Sequence, residues 1–250
     1  MKRYFIYLAY NGKNYCGWQI QPNGITVQEI LEQNLSTLLQ RPVSIVGAGR
    51  TDAGVHARWM VAHVDLELEP NQIQTFSERL NGMLPKDICI DKIVLVRDGA
   101  HARFDAVSRT YQYFMTDRKN PFQHELLYKV RKLPDYTLMN ESARILFEYN
   151  DFTSFSKLHT DTKTNTCQIM QAEWKMENEV LVFTIQADRF LRNMVRSIVG
   201  TLIETGNGKL SPDGFRTIIE SKDRCKAGSS VPARALFLTD IHYPETIIIE

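Results

Sequence analysis

Cysteine is scarce and scattered in this chain: four residues in 250, at positions 16, 89, 167 and 225, with no Cys-x-x-Cys pair and no Cys/His cluster. That spacing excludes a zinc ribbon and a thioredoxin-type redox pair. Apolar runs of membrane length are lacking as well. The run over residues 4–10 that follows Lys2-Arg3 stops at Asn11-Gly12-Lys13 without a small-residue cleavage site, so neither a signal peptide nor a membrane span is expected, and a reduced, cytoplasmic protein is. An excess of one charge is also missing, since 30 basic against 29 acidic residues leave +1 at pH 7. Any nucleic-acid surface must therefore come from where cations are placed. There is no low-complexity segment, and 43% hydrophobic, 24% charged and 10% aromatic residues exclude a disordered, collagenous or coiled-coil chain.

What is present is an alternation of strand and helix patterns. Residues 4–10 read as a strand buried on both faces. Thr26-Val27-Gln28-Glu29 has capping-box spacing, and Val27, Ile30, Leu31, Leu35, Leu38 and Leu39 recur on one helical face until Arg41-Pro42. A short strand at 43–46 follows, then a period-two strand at 58–68, a helix at 72–82 and a strand at 88–96. Strand-helix-strand-strand-helix-strand is the order of a ferredoxin-like unit.

The second part repeats the scheme, with strands expected at 103–115, 166–176, 180–187 and 235–243 and a helix at 136–149. A further helix running on from Phe190 stops at Gly206-Asn207-Gly208, and Ser211-Pro212-Asp213 opens another. The spacing places Arg189, Arg192 and Arg196 on one side of the helix after residue 190. The fold class expected is α/β in the α+β sense: two ferredoxin-like halves, residues 1–104 and 105–250, with mostly antiparallel sheets, flanking helices and an active-site cleft between the halves.

The most informative stretch is Gly47-Ala48-Gly49-Arg50-Thr51-Asp52-Ala53-Gly54-Val55-His56-Ala57. A dinucleotide loop would place a third glycine at position 52 and a helix after it, whereas Asp52 stands there and a strand follows. No Gly-Lys-Ser/Thr completes a Walker loop. What remains is a glycine-rich connection between strands that presents one carboxylate between Arg50 and Arg58. Small neighbours leave room for a flat substrate to approach, and an ionised carboxylate can act as a nucleophile. The alternative is an aspartate that only shapes the turn before Gly54.

Those eleven residues resemble the signature loop of the tRNA pseudouridine synthase A family, and Asp52 falls on that family's catalytic aspartate. The similarity runs through Trp18-Gln19, residues 80–85 with Asp87-Ile88, and Ala102-Arg103-Phe104-Asp105-Ala106 leading into Arg109-Thr110-Tyr111-Gln112-Tyr113. It continues through residues 151–155 and 190–196 and ends at Leu236-Phe237-Leu238, in family order. The resemblance implies isomerisation of uridine to pseudouridine at positions 38, 39 and 40 of the tRNA anticodon stem and loop. The C1'–N1 bond breaks, the uracil turns, and C1' is rejoined to C5, with no cofactor and no metal. Asp52 would attack C6 of the base or C1' of the ribose, and a carboxylate would also stabilise an oxocarbenium-like sugar.

The resemblance further implies substrate-binding roles. Tyr111 would lie against the target base, its hydroxyl helping to remove the C5 proton. Arg196 would pair with the aspartate, Arg50 would fill the space of the expelled nucleotide, and Leu236 would sit near the uracil. A homodimer is implied, and no membrane. Two positions depart from the family pattern: Ala235 stands for a common glycine, and Arg192-Asn193 for a His-rich or aromatic pair. Lys222, Arg224, Lys226 and Arg234 form a weaker cluster read as a solvated loop, and His56 and His63 read as packing or RNA contacts. The rival readings are a non-catalytic RNA-binding module, which lacks an RNP1-like pattern, and a nucleotide-dependent oxidoreductase.

Overall fold

The computed structural model describes residues 1–157 and 164–249. Its contacts divide the chain into two compact units, Met1–Val107 with Leu238–Glu250, and Ser108–Phe237. The expected division near residue 104 thus lies at 107, and most of the last strand groups with the first unit. Five α-helices flank mostly antiparallel strands among the described residues.

In the first unit, β1 (Lys2–Tyr10) runs between β3 (His56–Leu66) and β4 (Ile88–Leu95), antiparallel to both, and β9 (Leu236–His242) lies beyond β3. Tyr4, Phe5, Ile6 and Leu8 are all fully buried, which is what a central strand covered on both faces demands of its sequence. Helix α1 (Val27–Leu39) starts where Thr26 Oγ1 accepts the Glu29 N–H at 3.3 Å and ends at Gln40 in the left-handed region, just before Pro42. Helix α2 (Ile73–Met83) buries Phe76 and Leu80.

The strand expected at 43–46 is reduced to β2 (Val46–Gly47), paired with His63 and Ala62 of β3. Side chains of α1 take the backbone groups that a longer strand would offer: Ser36 Oγ accepts the Val43 N–H and Glu32 Oε1 the Ile45 N–H, each at 2.9 Å. Val43 and Ile45 are buried all the same. Apolar spacing there reports burial without a ladder.

In the second unit, β8 (Val180–Ala187) pairs antiparallel with β5 (Ser108–Thr116) and with β7 (Ile169–Glu177), and β6 (Tyr128–Lys129) adds two residues parallel to β5. Three helices follow the expected order: α3 (Tyr136–Ile145), α4 (Met194–Gly206) and α5 (Pro212–Ser221). Boundaries differ from expectation in several places: α3 ends at Ile145 rather than 149, with a 3-10 turn over Leu146–Glu148, and β7 begins at Ile169 rather than 166. β5 begins at Ser108 rather than 103, because residues 101–105 close into a turn in which His101 O accepts the Asp105 N–H at 3.0 Å. Helix α4 begins at Met194 rather than 190, because Asn193 sits at φ +65, a conformation no helix interior accepts. Arg189 and Arg192 therefore precede the helix and do not share a helical face with Arg196. Among the described residues no helix is long and apolar enough to cross a membrane.

Candidate active site

The glycine-rich loop between β2 and β3 is held from beneath by residues 10–18. Gly47 packs on the indole of Trp18 so closely that a Cβ there would fall 2.3 Å from Nε1. The Trp18 backbone N–H donates to Thr51 O at 3.4 Å, and Tyr10 Oη shares a buried 2.8 Å hydrogen bond with Thr51 Oγ1. Gly17, at φ +85, brings its backbone so near Thr51 that a side chain there would meet Thr51 O at 2.2 Å. The carbonyls of Gly17 and Trp18 accept the first free N–H groups of α1, from Val27 at 3.2 Å and Gln28 at 3.0 Å. A helix N-terminus, a tryptophan strap and the loop thus form one hydrogen-bonded stack.

Asp52 opens a turn at the top of that stack. Its carbonyl accepts the Val55 N–H at 3.1 Å, and Gly54, at φ +77, takes the position that in a type II turn requires a left-handed residue. Gly54 in turn donates to Tyr15 O at 3.3 Å. The backbone on both sides of Asp52 is therefore fixed, while its side chain is half-buried. A carboxylate on a fixed main chain with partial access to solvent can meet a substrate without movement of its backbone. Arg50, two residues earlier, is exposed. His56 is buried and its Nδ1 accepts the Gly12 N–H at 3.0 Å, and a Cβ on Gly12 would fall 2.0 Å from Val55 O. His56 is thus a packing residue of the loop's exit. Gly12 and Gly17 act through close backbone approach to a segment some forty residues away, which no local pattern announces.

The remaining candidates lie in the second unit. Tyr111 and Tyr113 occupy the same face of β5, opposite Ile185 and Phe183 of β8. They differ in exposure. Tyr113 is fully buried, its hydroxyl donates to Pro232 O at 3.2 Å, and burial raises its pKa. Tyr111 is half-buried, with its ring edge-on to Phe190 at 5.2 Å and 89°. That geometry leaves Tyr111 the phenol of the pair with access to solvent.

Arg196 lies in the first turn of α4 and is half-buried. Its Nε donates to Val231 O at 2.8 Å, and its own carbonyl accepts the Val231 N–H at 3.2 Å. This reciprocal pair fixes the segment that leads through the turn Ala233–Ala235 to Leu236, which is buried at 4% exposure. Gly200 admits the same segment, since a Cβ there would fall 1.9 Å from Ser229 O. Ala235, where the family commonly has glycine, is fully buried. The weaker cationic cluster is partly structural: Lys222 pairs with Asp151 at 2.9 Å, Arg224 donates to Ala227 O and Ser230 Oγ, and Arg234 Nε donates to Leu127 O. Arg50 and Asp52 thus share one loop, and Tyr111, Arg196 and Leu236 belong to the other unit.

Among the described residues no three His, Cys, Asp or Glu side chains converge as a metal site. The chain matches the tRNA pseudouridine synthase family over residues 6–105 and 149–244. It is 62% identical over 247 residues to the tRNA pseudouridine synthase A of Parabacteroides distasonis, covering 99% of this chain and 98% of that one. It is 58% identical to the Bacteroides fragilis protein of that name, with 99% and 98% covered, and 38% identical to that of Treponema denticola, with 99% and 95% covered. Among solved structures a putative chlorite dismutase is matched at a TM-score of 0.21 and 9% identity, covering 83% of this chain and 86% of its own, too low to bear on fold or function. The loop, the landmarks in both units and these similarities define an RNA-modifying isomerase. The chain belongs to the tRNA pseudouridine synthase family.

Proposed function

We propose that this protein isomerises uridine to pseudouridine at positions 38, 39 and 40 of the tRNA anticodon stem and loop, with Asp52 as the nucleophile. Tyr111, Arg50, Arg196 and Leu236 serve as substrate-binding residues. The observation that carries this reading is the setting of Asp52: a half-buried carboxylate on a turn tied down on both sides, inside a loop matched by the family.

The target nucleotide leaves its stack at a cost of a few kcal/mol, and stacking on the Tyr111 ring, worth about 1 to 3 kcal/mol, offsets much of that. Asp52 then adds to C6 of the uracil or to C1' of the ribose, the glycosidic bond to N1 breaks, the base turns, and C5 is joined to C1'. From C1' Asp52 is displaced as C5 bonds to the sugar, from C6 it is eliminated afterwards, and on either route loss of the C5 proton restores the conjugated base. The reaction uses no cofactor. The protein works in the cytoplasm as a homodimer.

Tritium release from tRNA labelled at uracil C5 tests the assignment. The purified protein is expected to release tritium without added cofactor or metal. Asp52→Asn preserves shape but removes the negative charge, so it should bind tRNA with unchanged affinity while release falls at least ~1,000-fold. Undiminished release by that variant would reject Asp52 as the nucleophile, and loss of binding together with turnover would make it a structural residue.

A further inference from the structure

Phe104 is an aromatic side chain that neither the core nor the reaction above employs. It is 75% exposed, yet the backbone that carries it is tied at every step. His101 Nδ1 accepts the N–H groups of Arg103 at 3.1 Å and Phe104 at 3.3 Å, and Asp105 Oδ2 accepts the His101 N–H at 2.7 Å. Ala102 donates its N–H to His63 Nδ1 at 3.1 Å and accepts the Tyr243 hydroxyl at its carbonyl. Asp105 is held in turn by Arg97, 3.3 Å away.

The rings rise in a column from the sheet to the surface. His63 of β3 meets His101 edge-on at 4.6 Å and 64°, and His101 lies 4.3 Å from Phe104 at 31°. The Arg103 guanidinium lies over the Phe104 ring, 5.6 Å from its centroid. One face of the ring is backed by His101, so the ring is fixed in orientation before any partner arrives.

We propose that the outer face of Phe104 is a stacking site for an unpaired nucleobase of the tRNA, with Arg103 set beside it for the adjoining phosphate. This rests on the RNA-modifying reading above. A prefixed aromatic ring beside a guanidinium matches a base and its phosphate, because every base offers a π-face and every nucleotide an anion. A protein partner would need a broader apolar face, whereas this is one ring between the charged neighbours Arg103 and Asp105. The site contributes affinity and no group to the reaction.

Binding of full-length tRNA by fluorescence anisotropy, together with KM and kcat for tritium release, tests the site in four proteins: wild type, Phe104→Ala, Phe104→Leu and Phe104→Trp. Ala and Leu are expected to raise Kd and KM about tenfold, with kcat at saturating tRNA changed less than twofold, and Trp to stay within about threefold of wild type. Thermal midpoints should agree across the four, since the ring is mostly in solvent. Arg103→Ala should lower the slope of log Kd against log salt by about one ion or slightly less. Normal binding by Phe104→Ala, or rescue by Leu as complete as by Trp, overturns the stacking site while wild-type tritium release keeps the assigned reaction. Absence of release from the wild type overturns both.

Discussion

The indole of Trp18 occupies the space that a side chain at residue 47 would need: a Cβ on Gly47 would lie 2.3 Å from Nε1 and 2.5 Å from Cε2. The backbone N–H of Trp18 also donates to Thr51 O, one residue before Asp52. Gly47→Ala should therefore push the indole aside and cost about 1 to 3 kcal/mol of stability, the usual range for overpacking. Turnover should fall further than stability alone explains, because moving Trp18 disturbs the backbone hydrogen bond that anchors Thr51. Urea melts and kcat on the same samples check this. Combining Gly47→Ala with Trp18→Leu should restore part of the stability, since the two changes meet at one contact.

The role proposed for Tyr111 divides between its ring and its hydroxyl. Its ring meets Phe190 edge-on, and Phe in its place keeps that contact. Tyr111→Phe is expected to bind tRNA normally and turn over at least ~100-fold more slowly, as loss of a group that removes a proton would dictate. Tyr111→Leu should in addition raise Kd by the loss of stacking, about 1 to 3 kcal/mol. Equal kcat for Phe and wild type would confine Tyr111 to stacking.

Much of this organisation is legible in the sequence where local chemistry decides it. Thr26 fixes the start of α1 through one hydrogen bond to Glu29 N–H, and the apolar residues from 4 to 8 announce a strand buried on both faces. Asp52 is visible because glycines flank a lone carboxylate between two strands. Two of the misread boundaries share a cause: apolar spacing reports burial, not hydrogen bonding. Val43 and Ile45 are buried while α1 side chains hold their N–H groups, and Leu191 is buried before a left-handed Asn193 lets α4 begin. Gly12 and Gly17 escape notice because each makes room for backbone from a distant segment. The alternation in β3 also misleads, since from Met60 to Val64 both faces are buried.

Gly200 should be among the least replaceable residues of α4. A Cβ there would meet Ser229 O at 1.9 Å and Ser229 C at 3.0 Å, and these are backbone atoms that cannot rotate away. Gly200→Ala would displace the 229–231 segment, and with it the reciprocal hydrogen bonds between Arg196 and Val231. A loss of about 3 kcal/mol in chemical denaturation is expected, at the upper end for an added methyl group in a packed site. Arg196→Lys offers a comparison that keeps the charge. It should bind tRNA but lower kcat, since an ammonium cannot both hold Val231 O through Nε and present a fork beyond it.

Acid should weaken the protein through His63 before its carboxylates protonate. Burial, the Arg3 guanidinium and His101 together push His63 down to about 4, against the opposing pull of Asp65 and Asp105. Its Nδ1 accepts the Ala102 N–H, a bond that requires the neutral ring. In the unfolded chain the same group titrates near 6.5. The folded state therefore binds fewer protons than the unfolded one between those values, so the stabilisation is complete above about pH 6.5 and declines as pH falls towards about 4. One pKa unit corresponds to about 1.4 kcal/mol, so roughly 2 kcal/mol should be lost between pH 7 and pH 5. His101, also lowered by burial, adds a loss of the same sign. His63→Asn retains an acceptor for Ala102 without a titrating ring. It should be less stable at pH 7 but lose less on acidification, which urea melts at the two pH values will read. Equal slopes for the variant and wild type would remove His63 as the source of the acid sensitivity.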